Sequence, residues 1–147
     1  AADIEGIIGF KDSSGNMIRY HEYLEAMRDR PDFSMLIGPE ELLGESILFG
    51  GHGGVCGGAN ISPRLFVKMY EAAVAGDVTR MQQLQVDIFR HRKLYACGKY
   101  ASGMIKGVKC ALNCMGICSD FMAEPFHAFR QPEHLQIEKL LQELKLI

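Results

Sequence analysis

The stretch Ile7–Asn16, IIGFKDSSGN, is the part of the sequence that indicates the fold most clearly. It joins an apolar run to a lysine, two serines and a glycine, which is typical of a buried strand that ends in a polar loop. A strand over Gly6–Phe10 would place Lys11 at its carboxyl end, where parallel α/β barrels carry their chemistry. Partial desolvation there would favour the neutral amine, the form that attacks a carbonyl. By position alone, however, most strand-end lysines only extend their charge into water.

Two further apolar runs, Phe33–Ile37 and Gly54–Cys56, have the continuous character of strands covered on both faces. A helical pattern follows each of the three strands, over Met17–Arg30 with Asn16 as N-cap, over Glu40–Phe49, and from Ser62 onward. Residues 1–76 are therefore predicted to form three βα units that include the lysine strand.

Residues 77–147 are predicted to be a helical extension of the same domain. Its helices begin after the cap residue Asp77, run over Gly103–Met115 with Gly116 as C-cap, and begin again at Pro132. Without a repeat or an obvious linker, the pattern indicates one continuous domain rather than two.

Bulk composition excludes several classes of function. The formal net charge of −2 over 147 residues gives no electrostatic reason to expect nucleic acid or an anionic membrane as a partner. The sequence shows neither a long apolar run nor the basic and apolar segments of a signal peptide. Five cysteines, an odd number, indicate reduced thiols. We therefore expect a cytoplasmic protein.

Three blocks of this sequence resemble the dihydrodipicolinate synthase/N-acetylneuraminate lyase family, in the right order and spacing. They are Gly9–Gly15 (GFKDSSG), Ile37–Glu41 (IGPEE) and Gly50–Asn60 (GGHGGVCGGAN). Members of the family are (β/α)8 TIM barrels in which a lysine on strand six forms a Schiff base with pyruvate or a related 2-oxo acid. The resemblance implies the C-terminal half of such a barrel, strands six to eight, followed by a helical C-terminal extension.

The resemblance also implies roles for individual residues. Lys11 would be the Schiff-base lysine, and Gly38 and Val55 would line the pyruvate end of the pocket, with the Val55 backbone near the substrate carboxylate. Glu40 and Glu41 stand where relatives that handle long hydroxylated substrates place acidic residues against the far end. The alternative for these two glutamates is purely structural, because acids in a first helical turn complement the helix dipole.

Parts of the family's machinery have no counterpart in this sequence. The hydroxyl pair after strand two and the Tyr-Asn-x-Pro motif of strand five are missing, and a complete barrel takes about 250 residues. We expect part of a longer pyruvate-dependent lyase or synthase, which performs aldol cleavage or condensation through Lys11. The alternative is a catalytically silent half-barrel that acts as a binding or regulatory module.

Gly57 stands where sialic acid lyases carry a hydroxyl residue, which counts against sialic acid as substrate.

The ligands and assembly follow from the same resemblance. It implies a 2-oxo acid, pyruvate, and an aldehyde as small-molecule partners, and a homo-oligomer, usually a homotetramer. No metal or organic cofactor is expected, because the lysine itself provides the electron sink.

Two other groups of residues have structural interpretations. The glycines around His52 lack the Lys-Ser/Thr of a phosphate-binding loop, so close packing is predicted for them and a loop position for the histidine. Cys110, Cys114 and Cys118 are spaced at i, i+4 and i+8, but a structural zinc site usually has four ligands and closer cysteine pairs. Buried free thiols are therefore predicted.

Overall fold

A computed structural model describes residues 2–147. Its sheet contains three parallel strands in the order β1-β2-β3, namely β1 (Gly9–Asp12), β2 (Ser34–Ile37) and β3 (Gly53–Gly54). Six α-helices occur within the described residues: α1 (Met17–Ala26), α2 (Leu43–Leu48), α3 (Pro63–Val74), α4 (Val78–His91), α5 (Gly103–Cys114) and α6 (Gln131–Glu143). Three short 3₁₀ turns cover Glu40–Leu42, Gly57–Asn60 and Arg92–Tyr95.

The predicted order of elements is confirmed, but several bounds are wrong. The predicted strand Gly6–Phe10 is observed as β1, Gly9–Asp12, because pairing begins where Gly9 lies opposite Ser34. The predicted strand over Gly54–Cys56 is the two-residue β3, after which the chain turns at Gly57. The predicted helix over Glu40–Phe49 divides into a 3₁₀ turn and α2.

The prediction that the first strand is covered on both faces is also wrong. β1 forms one edge of the sheet, and the side chains of Ile8 and Phe10 are 76% and 41% exposed. The apolar run therefore does not indicate burial within the described residues, which cover the side chains of this segment only in part.

The chain divides into two compact units. The first extends to Gly57 and includes Arg64–Val86, so it holds the sheet, and the second comprises Gly58–Pro63 and Asp87–Ile147. The prediction of one domain with a sequence boundary between residues 76 and 77 stays a prediction. None of the helices within residues 2–147 has the length and apolar character needed to cross a bilayer.

In the first unit, the core is built around Tyr20 of α1, which is fully buried. Its hydroxyl donates to the Met35 carbonyl at 3.2 Å, which ties α1 to β2. Gly51 leaves the space that this hydroxyl fills, since a Cβ there would overlap it. Burial raises the pKa of Tyr20 above its ordinary value, which already keeps the hydroxyl protonated at physiological pH.

In the second unit, α5, α6 and the 3₁₀ turn Arg92–Tyr95 pack around one apolar cluster. Its buried members are Ile61, Leu94, Cys110, Ala111, Ile137 and Leu141. Close approach of α5 to the turn depends on Gly107, because a Cβ at that position would overlap the Leu94 carbonyl oxygen.

Candidate active site

The three parallel strands bring their carboxyl ends to one edge of the sheet. The register places Lys11 beside Leu36 of β2, and Leu36 beside Gly53 of β3. Lys11 is the last residue but one of β1, so the strand includes the lysine that the sequence predicts to follow it. The predicted location at a strand end is confirmed to within one residue.

Two backbone hydrogen bonds continue the sheet beyond the strands. The Gly38 N–H donates to the Asp12 carbonyl at 2.7 Å, and the Val55 N–H donates to the Ile37 carbonyl at 2.9 Å. Gly38 and Val55 therefore follow their strands directly, at the same edge as Lys11. Because the sheet uses the Val55 N–H, the approach of this backbone to a substrate carboxylate stays a prediction.

Gly38 provides the space that the Lys11 side chain occupies. A Cβ added at Gly38 would lie 2.9 Å from Lys11 Cε and 3.1 Å from the Asp12 carbonyl oxygen, and it would overlap Ser13 Oγ. Any side chain at this position would displace the lysine or the loop. The structure thus brings the predicted lysine and the predicted pocket glycine into direct contact.

Lys11 is exposed, as is Val55, which is 52% exposed. The predicted partial desolvation of the amine is therefore wrong within the described residues. Lys11 lies on β1, which is an edge strand of the sheet. The amine is accessible to a small molecule from solvent.

The loop after the lysine is held by a relay of hydrogen bonds that starts at the buried carboxylate of Asp12. Its two oxygens accept from the Ser14 N–H at 2.8 Å and the Ser14 hydroxyl at 2.9 Å. Ser14 Oγ accepts from the Asn16 N–H at 3.1 Å, and Asn16 Oδ1 accepts from the Arg19 N–H at 3.2 Å. This relay confirms Asn16 as the N-cap of α1 and fixes the chain directly beyond Lys11.

Glu40 and Glu41 follow β2 in a 3₁₀ turn and lie near the lysine. Glu40 is 3% exposed, which is rare for an acid that only complements a helix dipole at a surface. Both acids act electrostatically on the Cys56 thiol, as does Lys11, so the four groups share one neighbourhood at the strand ends. Contact of the two glutamates with a substrate stays a prediction.

Cys56 is a member of this cluster that the sequence analysis does not identify. Burial raises the pKa of its thiol to about 12, with Glu40 and Glu41 acting in the same direction and Lys11 against them. A Cβ at Gly54 would lie 3.0 Å from Cys56 Sγ, so that glycine leaves room for the sulfur. The available signal is position, since Cys56 lies two residues after the end of β3.

His52 has a structural role, as predicted from its loop. The imidazole Nδ1 accepts from the Met35 backbone N–H at 3.0 Å, and the His52 backbone N–H donates to the Met35 carbonyl at 2.9 Å. Backbone and side chain of His52 thus both bond to β2, next to the point where β3 begins to pair with it.

Comparison with known proteins adds relatives along the whole chain. A sequence model described as the Dihydrodipicolinate synthetase family matches residues 1–144. The 4-hydroxy-tetrahydrodipicolinate synthase of Nitrosomonas europaea is 33% identical over 141 residues, a match that covers 95% of this chain and 46% of that protein. The chain spans about half the length of the curated relatives it matches.

Solved structures agree with the sequence comparison. Dihydrodipicolinate synthase from Bacteroides thetaiotaomicron superposes with a TM-score of 0.93 at 48% identity, covering 97% of this chain and 48% of that one. The prophage protein YagE from E. coli K12, solved in complex with pyruvate, superposes with a TM-score of 0.82 at 24% identity, covering 96% and 47%. The second likeness shows the fold alone. The three strands and their helices are thus part of an α/β TIM barrel.

Proposed function

The chain belongs to the dihydrodipicolinate synthetase family, and from that premise we propose that Lys11 is the Schiff-base lysine of a pyruvate-dependent lyase or synthase. The observation that carries the proposal is the contact between Lys11 and Gly38 at the carboxyl edge of the sheet, where barrels of this class react. A 2-oxo acid as the first substrate is part of the proposal, because the Lys11 amine can form an iminium with its C2 carbonyl.

We propose further that β1, β2 and β3 are strands six to eight of the barrel, with residues 77–147 as the helical C-terminal extension. The matched share of each relative, about half, supports a longer polypeptide that completes the barrel. The position of β1 at the edge of the sheet, with Ile8 before it and Phe10 on it exposed, supports pairing of this strand with a preceding one. That other half would supply the proton shuttle and the donors for the substrate carboxylate.

The proposed reaction begins when the neutral amine of Lys11 attacks C2 of pyruvate and forms a carbinolamine. Loss of water gives an iminium, which withdraws electrons from C3 and permits loss of a C3 proton to give an enamine. The enamine carbon attacks the carbonyl carbon of an aldehyde, and water then hydrolyses the iminium to release the product and the free lysine. Aldol cleavage is the same sequence in reverse.

Residues around the lysine have defined parts in this proposal. Gly38 leaves the volume in which the lysine side chain lies, and the relay from Asp12 through Ser14 fixes the chain beyond it. Glu40 and Glu41 would face polar groups of the second substrate, away from the pyruvate carboxylate that their charges repel. A homo-oligomer, the usual assembly of the family, is part of the proposal.

Exchange of the pyruvate methyl protons in D₂O tests the proposal without knowledge of the aldehyde, because enamine formation at C3 exchanges them. The protein is the longer polypeptide that contains residues 1–147, observed by proton NMR. Lys11→Ala should lower the exchange rate by about a thousandfold or more, because the nucleophile is lost. Lys109→Ala, which changes a lysine on α5, should leave the rate unchanged.

Retention of exchange in Lys11→Ala would exclude this lysine as the nucleophile. Binding of pyruvate by the unaltered protein without any exchange would instead favour the catalytically silent half-barrel, which acts as a binding or regulatory module.

A further inference from the structure

Three side chains with soft or borderline donor atoms converge in the second unit. Cys110 and Cys114 lie on α5, and His134 lies on α6. Their two sulfurs and one imidazole nitrogen all lie within 4.8 Å of one another. The i, i+4 spacing places both thiols on one face of α5, and packing of α6 against α5 brings the histidine to that face.

One distance in the cluster matches the spacing that a metal ion imposes on its ligands. Cys114 Sγ lies 3.6 Å from His134 Nε2. In a tetrahedral zinc site, Zn–S and Zn–N bonds of ordinary length separate sulfur and nitrogen by about 3.6 Å. A thiol–imidazole hydrogen bond has a similar length, so the distinguishing feature is the third donor, Cys110, within reach of both.

Burial and charge at the cluster suit a divalent cation. Cys110 is fully buried, whereas Cys114 and His134 are half-buried, so an ion can enter from the solvent side. Glu138 and Asp120 place negative charge near the Cys114 sulfur, and that charge attracts a cation.

We propose that Cys110, Cys114 and His134 form a site for Zn²⁺, with the fourth position filled by solvent. Binding releases the two thiol protons to solvent and forms two Zn–S bonds and one Zn–N bond, while the imidazole keeps its proton on Nδ1. Two thiolates and an imidazole select zinc over magnesium and calcium, which prefer oxygen ligands. The ion would join α5 to α6 and stabilise the helical unit.

The prediction of free thiols is confirmed for Cys110, Cys114 and Cys118, but only Cys110 is fully buried, and the proposed site goes beyond that prediction. Cys118, the third in the series, is exposed and lies outside the cluster. The third donor is instead His134, which the sequence spacing of the cysteines cannot indicate.

Titration of the reduced, metal-stripped 147-residue chain with Co²⁺ and then Zn²⁺ tests the proposal. One equivalent of Co²⁺ should produce thiolate-to-cobalt absorption and tetrahedral d–d bands, and Zn²⁺ should remove both by displacement. Cys114→Ser and His134→Gln should each weaken binding by about a hundredfold or more, because each removes a ligand. The matched controls Cys118→Ser and His127→Gln should bind as the unaltered chain does.

Thermal unfolding provides a second measurement that does not depend on the cobalt spectrum. Stoichiometric Zn²⁺ should raise the melting temperature of the unaltered chain and of Cys118→Ser, and it should not raise that of His134→Gln. The half-buried His134 is chosen because its replacement leaves the core residue Cys110 in place. Absence of a one-to-one complex, or equal weakening by Cys118→Ser, would overturn the proposal.

Discussion

At Gly38 a hydrogen atom stands where any other residue would carry a Cβ 2.9 Å from Lys11 Cε. Lys11 lies on β1 and Gly38 directly follows β2. The apolar run and the polar loop around Lys11 predict its place at a strand end, whereas the role of Gly38 is implied only by the resemblance to the family. Cys56 is not predicted as a site residue, although it lies only two residues after β3. Its importance comes from the charges of Glu40, Glu41 and Lys11, which only the folded sheet brings near it.

The reactivity of Cys56 should report this electrostatic environment. Burial raises the pKa of the thiol to about 12, so alkylation by iodoacetamide should be slow at pH 7 and accelerate about tenfold per pH unit, because the thiolate is the nucleophile. Glu41→Gln should speed the reaction, since it removes a charge that raises the pKa. Lys11→Ala should slow it, since Lys11 lowers the pKa.

Peptide mass spectrometry of the alkylated chain gives the rate for each cysteine separately, with the exposed Cys118 as the internal reference. If Cys56 reacted as fast as Cys118 at pH 7, or if Lys11→Ala accelerated it, the four groups would not share one site.

Helix ends that depend on the residues immediately around them are predicted well from the sequence. Asn16 and Asp77 cap their helices through bonds to the Arg19 and Arg80 N–H groups, and Gly116 ends α5 with a φ of 71°. The bounds of β1 are predicted poorly, because they depend on where β2 begins to pair rather than on the apolar run itself. Convergence of α5 and α6 at the cysteine cluster is likewise a long-range packing event that no local pattern encodes.

Because α5 packs closely against the 3₁₀ turn Arg92–Tyr95, even a single methyl group at Gly107 should lower the stability of the fold. Gly107→Ala should destabilise the chain by about 1–3 kcal/mol, because the new Cβ would overlap the Leu94 carbonyl oxygen. In an exposed helix the same change normally stabilises by about 0.5–1 kcal/mol, so the sign itself is diagnostic. Urea unfolding measures the difference.

Met104→Ala, at a position of α5 that is 44% exposed, is the control and should change stability by less than about 0.5 kcal/mol. A stabilising effect of Gly107→Ala would mean that the helix does not approach the turn as closely as described.

On the scale of the whole chain, the sheet ends at an apolar edge. Ile7, Ile8 and Phe10 are 38%, 76% and 41% exposed, and a closed barrel has no such edge. The sequence predicts the parallel order of the strands but not this exposure, because a continuous apolar run indicates a strand covered on both faces and the described residues leave these side chains partly uncovered. The chain spans about half the length of the relatives it matches.

The 147-residue chain should therefore self-associate through β1 as its concentration rises. Ile8→Lys should weaken this association by about tenfold, because a charge on an edge strand opposes pairing with another edge. Ile18→Lys is a matched control on α1, since Ile18 is 77% exposed, and it should have little effect. Sedimentation velocity over a concentration series separates the two variants, and equal effects of both would exclude β1 as the contact.

Borohydride reduction in the presence of pyruvate, followed by peptide mapping, tests the role of Lys11 most directly. The treatment should leave one carboxyethyl group on the peptide that contains Lys11, in the longer polypeptide and, if the half-barrel suffices, in the 147-residue chain as well. The group should be absent from Lys11→Arg and present in Lys109→Arg. An adduct on a different lysine, or no adduct in either polypeptide, would contradict the Schiff-base assignment.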